Sequence, residues 1–371
     1  MLEVALKLLE EITACGFKAY IVGGFVRDYI LGINSNDIDI TTSATPKDIK
    51  EIFEDSCLPS EDYGSVTVIK KGIRFEITTF RKEIGYIDNR RPAEIKYIDD
   101  LYEDLLRRDF TINALAYHPN QGIVDYLGGI NDLNNRIIKF IKDPNISIVL
   151  DPIRLIRALR FSLTLGFDID ENDYRVMIKE CKRVSELGKI RFDELERICN
   201  IDGVKTHLLK HYNIYLAAYP ELKNILLKAL NSDFDIRNLK YLLFDKQELN
   251  CLSKEDIKIQ EGINEVINSR TDLYNTKLLY IKYNDKLDII FDVLELMDKD
   301  VSLLKYNLEL IRNNNFCLKI KDLSISYKDL EELGVPQNKY SIYLNELLDI
   351  VLKDDKLNNR KILLDILKNK V

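Results

Sequence analysis

Residues 19–42 read AYIVGGFVRDYILGINSNDIDITT, and this stretch decides how the first third of the chain folds. A short β-rich run ends in two glycines, the residues after it have helical spacing, and DIDITT alternates polar and apolar residues as strands do. On the N-terminal side, EVALKLLEEITACG also has helical spacing and stops at Gly16. On the C-terminal side, SVTVIKKGIRFEITTFR predicts two strands around a Lys-Gly turn. The pattern therefore predicts an α/β head built around a small sheet.

From about residue 140 the pattern becomes helical almost throughout, as in PIRLIRALRFSLTLG and NRKILLDILKN, and proline and glycine become sparse. The predicted fold class is α+β, with a small sheet and helices in the head followed by an all-helical neck, body and tail. We place the head at 1–140, the neck at 141–200, the body at 201–300 and the tail at 301–371.

The composition is that of a globular protein, with 46% hydrophobic and 31% charged residues among 371. No apolar run approaches the roughly 20 residues that a membrane span needs, and the N-terminus is amphipathic and carries acids, so we expect a cytoplasmic protein. The six cysteines are scattered without a CxxC pair, which favours reduced core thiols over disulfides or zinc. The net charge of −7 argues against indiscriminate nucleic-acid binding, but it is compatible with an RNA held in one local groove.

Gly23 and Gly24 stand where the predicted strand gives way to the predicted helix. Backbone N–H groups exposed at the positive end of a helix suit a triphosphate. A glycine turn between strand and helix also occurs for purely structural reasons, so the pair alone leaves both interpretations open.

Three acidic residues lie on predicted strands. Asp37 and Asp39 are two apart, so on a strand their carboxylates would share one face, and hard oxygen ligands of this kind suit Mg²⁺. Glu76 lies between apolar neighbours and could complete a two-metal site, which activates an attacking hydroxyl and stabilises charge on the reacting phosphate. The alternatives are a solvated strand edge for the two aspartates and, for Glu76, pairing with Arg74 or Arg81.

The ordered combination of these pieces is far more specific than any one of them. YIVGGFVRDYILG, NDIDITTSATP, FEITTFR, YIDNRRP and DLLRRDFTINALAY together resemble the class II CCA-adding enzymes (tRNA nucleotidyltransferases) and bacterial poly(A) polymerases of the DNA polymerase beta superfamily. The resemblance implies a nucleotidyltransferase head. It further implies an enzyme that adds CCA to the 3′ end of tRNA without a nucleic-acid template, using CTP, ATP and Mg²⁺ and releasing pyrophosphate.

The resemblance also implies roles for individual residues. Asp37 and Asp39 match the catalytic metal ligands, and Asp28 matches the residue that braces the triphosphate-binding turn. Asp109 would accept a hydrogen bond from the ribose 2′-hydroxyl and so favour ribonucleotides. Residues 81–91 match the flexible loop used in switching from C to A, although without the resemblance they are simply a charged loop. The remaining matches are Gly23, Gly24, Arg27, Arg108 and Asn113 for nucleotide binding, and Tyr86, Asp88, Arg90, Arg91 and Pro92 in the loop.

DPIRLIRALRF, residues 151–161, resembles the family's nucleotide-selecting helix. A guanidinium only donates hydrogen bonds and a carboxylate only accepts them. Arg154 can donate to N3 and O2 of cytosine or N1 of adenine while Asp151 accepts from the exocyclic amine, whereas uracil and guanine present the wrong pattern. Arg157 can reach the same groove, and Arg160 lies there or faces phosphate or tRNA. The alternative is that Asp151 only caps the helix and that the arginines form a solvated face.

The rest of the chain resembles the family more loosely. LGKIRFDELERI, residues 187–198, resembles a helix that steadies the selecting helix, and 328–334 with the helical stretch after it resembles the tail that grips the tRNA elbow. That tail favours tRNA as the partner. The rival hypotheses are an A-adding tRNA nucleotidyltransferase, a bacterial poly(A) polymerase, a small-molecule nucleotidyltransferase and a catalytically inactive RNA-binding protein. His207 and His211 are four apart without a third ligand, which predicts a structural or surface role.

Overall fold

The computed structural model describes residues 1–35, 37–54, 57–58, 64–87, 91–243 and 253–370, with the backbone alone at 57–58, 86–87 and 91–93. The chain divides into two compact units, Met1–Lys223 and Asn224–Val371, and each is described by itself. Helices dominate outside one mixed sheet, which confirms the predicted α+β class. The finer division into head, neck, body and tail stays a prediction. In the part of the chain that the structure covers, no helix is both long and apolar enough to cross a membrane.

A mixed sheet in the first unit is formed by seven of its described strands. The strands of this unit are β1 (Ala19–Val22), β2 (Asp39–Thr42), β3 (Cys57–Leu58), β4 (Ser65–Lys70), β5 (Ile73–Thr79), β6 (Arg81–Ile87), β7 (Arg91–Tyr97), β8 (Ala116–His118), β9 (Gly122–Val124), β10 (Ile137–Ile138) and β11 (Asp168–Ile169). The sheet order is β3-β4-β5-β2-β1-β8-β9, with β2 parallel to β5 and antiparallel to β1. The predicted pair of strands around the Lys-Gly turn is confirmed as β4 and β5.

The strand predicted from DIDITT is shorter than expected. Its β-structure begins at Asp39, and Asp37 precedes it, so the predicted strand does not extend to Asp37. The negative charge of Asp37 still acts on Asp39, and the shared face of the two carboxylates stays a prediction. Asp39 pairs with Val22, the last residue of β1, and the chain then turns away at Gly23 with a φ of +76°. The antiparallel ladder therefore stops at Asp39. Ile38 and Ile40 are nevertheless buried, at 3% and 0% exposure, as the alternation predicts.

Residues 81–87 form a strand and Arg91 begins another, where a loop was expected. β6 and β7 pair antiparallel in a two-stranded sheet, with register from Arg81 opposite Tyr97 to Ile87 opposite Arg91. Both KEIGYI and PAEIKY contain a short alternation in which every second residue is apolar or aromatic, as strands do. The many charged residues around this alternation hid it in the sequence. Of the predicted loop residues, Asp88 and Arg90 lie outside the described residues, and so do the side chains of Tyr86, Arg91 and Pro92.

The helices of the first unit surround this sheet and continue beyond it. They are α1 (Leu2–Ala14), α2 (Gly24–Ile30), α3 (Pro46–Ile52), α4 (Leu101–Leu105), α5 (Gly129–Asn134), α6 (Pro144–Leu150), α7 (Ile153–Leu165), α8 (Glu171–Glu180), α9 (Lys189–Cys199), α10 (Val204–Lys210) and α11 (Tyr212–Ala218), with 3₁₀ turns at Thr111–Asn113, Cys181–Glu186 and Pro220–Leu222. Pro152, and not Asp151, occupies the N-cap of α7, so the alternative in which Asp151 caps this helix is wrong. The predicted all-helical neck is interrupted by β11, which pairs in parallel with β10.

The second unit is helical through its described residues and has its own core. A cluster of fully buried side chains joins the last helices. Its members are Leu330, Leu347, Val351, Leu363 and Leu367. The helices are α12 (Leu226–Leu230), α13 (Lys254–Asn268), α14 (Leu273–Tyr283), α15 (Lys286–Leu296), α16 (Ser302–Asn313), α17 (Tyr327–Glu332), α18 (Tyr340–Lys353) and α19 (Arg360–Lys368), with 3₁₀ turns at Ile236–Leu242, Ile320–Asp322, Gln337–Lys339 and Asp355–Leu357.

Free thiols agree in part with the predicted reduced core cysteines. Cys181, Cys199 and Cys317 are free and buried, whereas Cys15 is free and exposed. Cys15 follows directly after the last residue of α1, so it lies at a helix end and not on the helix's apolar face.

The two histidines at i and i+4 are buried in the first unit, at 8% and 5% exposure for His207 and His211. Their ring centroids lie 4.6 Å apart, and Nδ1 of His211 shares a hydrogen bond of 2.8 Å with the hydroxyl of Tyr174. Burial lowers the pKa of His207 to about 4, with a smaller effect of Lys210. Burial, followed by the neighbouring charge of His207, lowers the pKa of His211 to about 4. Both rings are therefore neutral in the folded protein at neutral pH.

We expect this pair to make the fold acid-sensitive. The pKa of each histidine is lower in the folded state than in the unfolded chain, so stability is present above pH 6.5 and is lost as the pH falls towards 4. Between pH 7 and pH 5, the free energy of unfolding of the wild type should fall by about 1–2 kcal/mol per histidine relative to the variant His207→Gln/His211→Gln. Urea unfolding followed by circular dichroism at both pH values measures this difference.

The matched control is His118→Gln, because His118 is only partly buried. Burial also lowers the pKa of this partly buried ring, so the variant should lose only a small part of the wild type's pH dependence. Other groups that titrate in this range, such as Asp173 with a pKa raised to about 6 by burial, are common to all three proteins and cancel in the comparison. A double variant that loses as much stability on acidification as the wild type would contradict the prediction.

Candidate active site

A cavity of about 410 Å³ in the first unit collects most of the residues singled out from the sequence. Four separate segments meet there: the glycine turn after β1, the start of β2, the RRDFTIN segment and the first turns of α7. Ten of the thirteen predicted site residues line the cavity, while Asp37, Glu76 and Arg160 do not belong to its lining. The lining residues are Gly23, Gly24, Arg27, Asp39, Arg108, Asp109, Asn113, Asp151, Ile153, Arg154, Arg157 and Phe161.

At Gly23 the backbone comes very close to the charged groups of the cavity. Its φ is +76°, a region that favours glycine. A Cβ atom at this position would lie 3.2 Å from Nη1 of Arg108 and 3.8 Å from Oδ2 of Asp39. Both the backbone conformation and the close approach therefore require glycine here.

Arg27, on α2, is buried at 7% exposure and is held from two sides. Its Nε donates to Oδ1 of Asp28 at 2.8 Å, and its Nη1 donates to Oδ1 of Asn113 at 2.6 Å. The side chain of Asp28 thus holds Arg27 in place. Because both ends of the guanidinium are anchored, its remaining edge has a fixed direction.

Asp39 is the first residue of β2 and the acid of this strand that lines the cavity. β2 and β5 run side by side in parallel, which places Asp39 opposite Glu76 across the ladder. Burial, then the negative charge of Asp37, raises the pKa of Asp39 to about 6, and Glu76 adds to the rise while Arg108 opposes it. Three carboxylates thus influence one another here, and a cation would relieve their repulsion. Among the described residues, no three acidic, cysteine or histidine side chains converge closely enough to hold a metal by themselves.

Arg108 reaches the cavity from the RRDFTIN segment, and Asp104 supports it from α4. Asp104 is fully buried, and its Oδ2 lies 3.7 Å from Nη2 of Arg108. Its Oδ1 accepts from Nε of Arg107 at 2.9 Å and from the backbone N–H of Arg81, at the start of β6, at 3.2 Å. Burial would raise the pKa of Asp104, but the charges of Arg107 and Arg108 lower it. One carboxylate thereby ties the β6–β7 hairpin to the cavity wall.

Asp109 is bonded to two side chains that line the cavity, Arg157 and Asn113. Its Oδ2 accepts from Arg157 at 2.9 Å (Nε) and 2.7 Å (Nη2), and its Oδ1 accepts from Asn113 at 3.1 Å. Burial would raise the pKa of Asp109, but the charge of Arg157 and the hydrogen bonds from Asn113 and Arg157 lower it. Asp109 is therefore an ionised acceptor that fixes Arg157 in place.

Asp151 and Arg154 meet at the start of α7, with Oδ2 of Asp151 3.5 Å from Nε of Arg154. The far end of this guanidinium donates to two backbone carbonyls, to Arg107 at 2.9 Å and to Arg108 at 3.4 Å. Arg154 is 8% exposed. A charge so buried, with its partners on three sides, holds one orientation.

Arg160 points to a different neighbour. Its Nε donates to Oε2 of Glu194 on α9 at 2.7 Å, and Glu194 also accepts from Arg197 at 2.7 Å. α9 is itself anchored by Arg191, which donates to the carbonyl of Ala218 at 2.8 Å. The helix predicted to steady α7 therefore contacts it through this buried acid.

Sequence reasoning missed two contributors to the site. Phe161 lines the cavity at 8% exposure, and Asp104 supports Arg108 from below. The signal for Phe161 was present, because an aromatic residue follows three arginines at helical spacing in RLIRALRF. Asp104 had no comparable signal, since its partners come from three segments that meet only in the fold.

Comparison with known sequences finds relatives that span most of the chain. Residues 19–139 match the family model described as the poly A polymerase head domain. The chain is 33% identical over 386 aligned residues to the CCA-adding enzyme of Staphylococcus haemolyticus, covering 98% of this chain and 93% of that protein.

Solved structures show the same fold. The structure of the Bacillus stearothermophilus CCA-adding enzyme in complex with CTP matches with a TM-score of 0.66 at 22% identity, covering 99% of this chain and 97% of that one. The structure of the Thermotoga maritima CCA-adding enzyme complexed with tRNA matches with a TM-score of 0.62 at 21% identity, covering 99% and 95%.

Proposed function

This chain belongs to the family of class II CCA-adding enzymes, and on that premise we propose that it adds C, C and A to the 3′ end of tRNA without a nucleic-acid template, using CTP and ATP. The observation that carries the proposal is one cavity that joins a glycine turn, an acidic strand end and an aspartate–arginine pair. Because its proposed substrate is tRNA, we also propose that the protein acts in the cytoplasm.

The reaction we propose is nucleotidyl transfer. The 3′-oxygen of the RNA attacks the α-phosphorus of the nucleotide, the bond from that phosphorus to the bridging oxygen of the β-phosphate breaks, and pyrophosphate leaves while the hydroxyl proton passes to solvent. This chain's part is to hold the two reactants in line and to balance the charge that develops.

The acids around Asp39 fit a divalent metal, and we propose Mg²⁺. Like charges from Asp37 and Glu76 act on Asp39, so the group carries excess negative charge that a cation would neutralise. Mg²⁺ is commonly held by one or two carboxylates together with substrate phosphates, which is consistent with the lack of a three-ligand cluster in the described chain. When bound by Asp37 and Asp39, Mg²⁺ would supply positive charge at the reacting phosphate and ease loss of the hydroxyl proton. Glu76 is a candidate third acid.

We assign the triphosphate to Gly23, Gly24 and Arg27. Glycine at position 23 lets the backbone approach the ligand closely, and Arg27 presents a guanidinium whose other edges are already bonded. A planar guanidinium suits phosphate oxygens because it donates two parallel hydrogen bonds. Arg108 lies beside Gly23 and adds positive charge at this end of the cavity.

We assign base selection to Asp151 and Arg154, which line the same cavity. Cytosine and adenine both offer an amine donor next to a ring-nitrogen acceptor, matching an acceptor–donor pair on the protein. Uracil and guanine would leave a buried charge facing a group of the wrong polarity, at a cost of roughly 1–3 kcal/mol or more. Asp109 and Asn113 would bind the ribose, with Arg157 as the support of Asp109 and Arg160 as a further candidate contact.

We further propose that the β6–β7 hairpin takes part in the change from C to A addition, since Asp104 joins it to Arg108. The head at 1–140 would then carry the chemistry, the neck at 141–200 the selection, and the body at 201–300 and tail at 301–371 the tRNA. This division is our proposal for how the work is distributed along the chain.

One assay separates the proposed function from its rivals. Purified protein is incubated with Mg²⁺, or with EDTA as the control, and with tRNA lacking CCA, tRNA ending in CC, or an unrelated RNA, using each nucleoside triphosphate alone and all together. CCA addition to the first RNA, lost in EDTA, is expected. Addition of A alone to tRNA ending in CC would instead mark an A-adding enzyme, untemplated A on any RNA would mark a poly(A) polymerase, and binding without extension would mark an inactive RNA-binding protein.

A further inference from the structure

The ring of Phe161, on α7, is surrounded by guanidinium groups. The central carbon of Arg160 lies 4.4 Å from the ring centroid, that of Arg27 5.1 Å and that of Arg157 5.6 Å. Phe110 meets the same ring edge-on, with centroids 5.7 Å apart and planes at 81°. Phe161 therefore contacts three cations at once, and the ring of Phe110 fixes the orientation of the Phe161 ring.

Two of these arginines, Arg27 and Arg157, line the cavity but come from different parts of the chain. Their acidic partners are also different: Asp28 holds the first, and Asp109 holds the second. These bonds lie along the edges of each guanidinium and leave its face unsupported. An aromatic ring attracts a cation over its face through the ring quadrupole, and the attraction is stronger where water is excluded.

We propose that Phe161 is a positioning residue whose ring holds Arg27 and Arg157 in register, so that one nucleotide is gripped at its triphosphate and at its ribose together. The inference rests on the proposed function and deepens it. The ring has no role in choosing the base, because Arg154 is held by Asp151 and by donating to backbone carbonyls. Phe161 should therefore affect the affinity for CTP and for ATP alike.

The test is Phe161→Leu, which removes the ring but keeps an apolar side chain. Loss of the cation–π contacts to the two cavity arginines, Arg27 and Arg157, predicts a rise of about 10-fold in the Kd and KM for both CTP and ATP, with kcat little changed and rejection of UTP and GTP retained. Phe161→Tyr keeps the ring and should restore both constants. Calorimetric titration with CTP and with ATP gives the Kd values, and addition to tRNA gives the kinetic ones.

Phe140→Leu is the matched control. Phe140 belongs to the same aromatic cluster, with its ring 5.1 Å from that of Phe110, and it is buried at 4% exposure. Within the described residues its ring has no guanidinium over it. This variant should therefore leave the Kd for both nucleotides unchanged while losing a similar amount of stability.

A double-mutant cycle with Arg27→Lys completes the test, because coupling through the ring predicts that Arg27→Lys weakens binding less in the Phe161→Leu background than in the wild type. Equal Kd changes in Phe140→Leu and Phe161→Leu, a shift in base preference, no rescue by tyrosine, or additive effects in the cycle would each overturn the inference. The calorimetric Kd values separate the two proposals. Wild-type protein that binds CTP but never extends tRNA overturns the proposed function, and the Kd values of the variants then decide the role of Phe161.

Discussion

Replacing Asp39 with asparagine is expected to lower the rate of nucleotide addition about a thousandfold, or about 4 kcal/mol of lost transition-state stabilisation. The substitution keeps the shape of the side chain and removes its charge. In our proposal that charge holds the metal at the reacting phosphate. Initial rates of CMP addition to tRNA lacking CCA, measured at saturating CTP and Mg²⁺, test the expectation.

The same variant should be at least as stable as the wild type. Burial and the nearby charge of Asp37 raise the pKa of Asp39 from 3.8 to about 6. An acid with a raised pKa in the folded state loses stability as the pH rises from its unfolded value of 3.8 through about 6, because the ionised form is better accommodated in the unfolded chain. Without metal at pH 7.5, the melting temperature of Asp39→Asn should therefore equal or exceed that of the wild type, so lost activity would not reflect lost folding.

Asp173→Asn is the control for this pair of measurements. Burial also raises the pKa of Asp173 to about 6, and its Oδ2 accepts from the backbone N–H of Phe140 at 2.7 Å, but it does not line the cavity. We expect this variant to retain activity within a few-fold of the wild type. Activity of Asp39→Asn above about a tenth of the wild type, or an equal loss in Asp173→Asn, would contradict the proposed role.

The parts of the site that are local in sequence could be predicted from it. β1, the glycine turn and α2 follow one another within a dozen residues, and their periodicity and glycines specify them directly. RRDFTIN, in contrast, was singled out by the family resemblance alone, and the bond between its Asp109 and Asn113 was not predicted from the spacing.

Contacts between distant segments could not be predicted in this way. Asp104 contributes to the site because it contacts Arg81 and Arg108. Phe161 contributes because it contacts Arg27, which is 134 positions away along the printed sequence. The length of β2 was overestimated for the same reason, because the extent of β2 is set by where its partner β1 ends. Alternation within DIDITT describes which faces are buried, but it does not say how far the neighbouring strand continues.

Base selection is the second large effect, and Asp151→Asn isolates it. A carboxylate accepts only, whereas an amide can also donate, so the variant can satisfy O4 of uracil while still accepting from the amine of cytosine. We expect discrimination against UTP to fall about 10- to 100-fold, equivalent to roughly 1–3 kcal/mol. Ratios of kcat/KM for CTP and UTP on tRNA lacking CCA measure the change.

Arg154→Ala should act differently, because it removes the donor and leaves Asp151 with a charge that no longer has its partner 3.5 Å away. It also releases the carbonyls of Arg107 and Arg108, so we expect addition of both C and A to fall about 100-fold together with a loss of preference for them. Asp168→Asn, an exposed acid on β11, is the matched control and should change neither rate nor preference. Arg154 is the only donor of the Asp151–Arg154 pair. If Arg154→Ala loses rate but still rejects UTP and GTP fully, the hydrogen-bond pattern of this pair does not select the base.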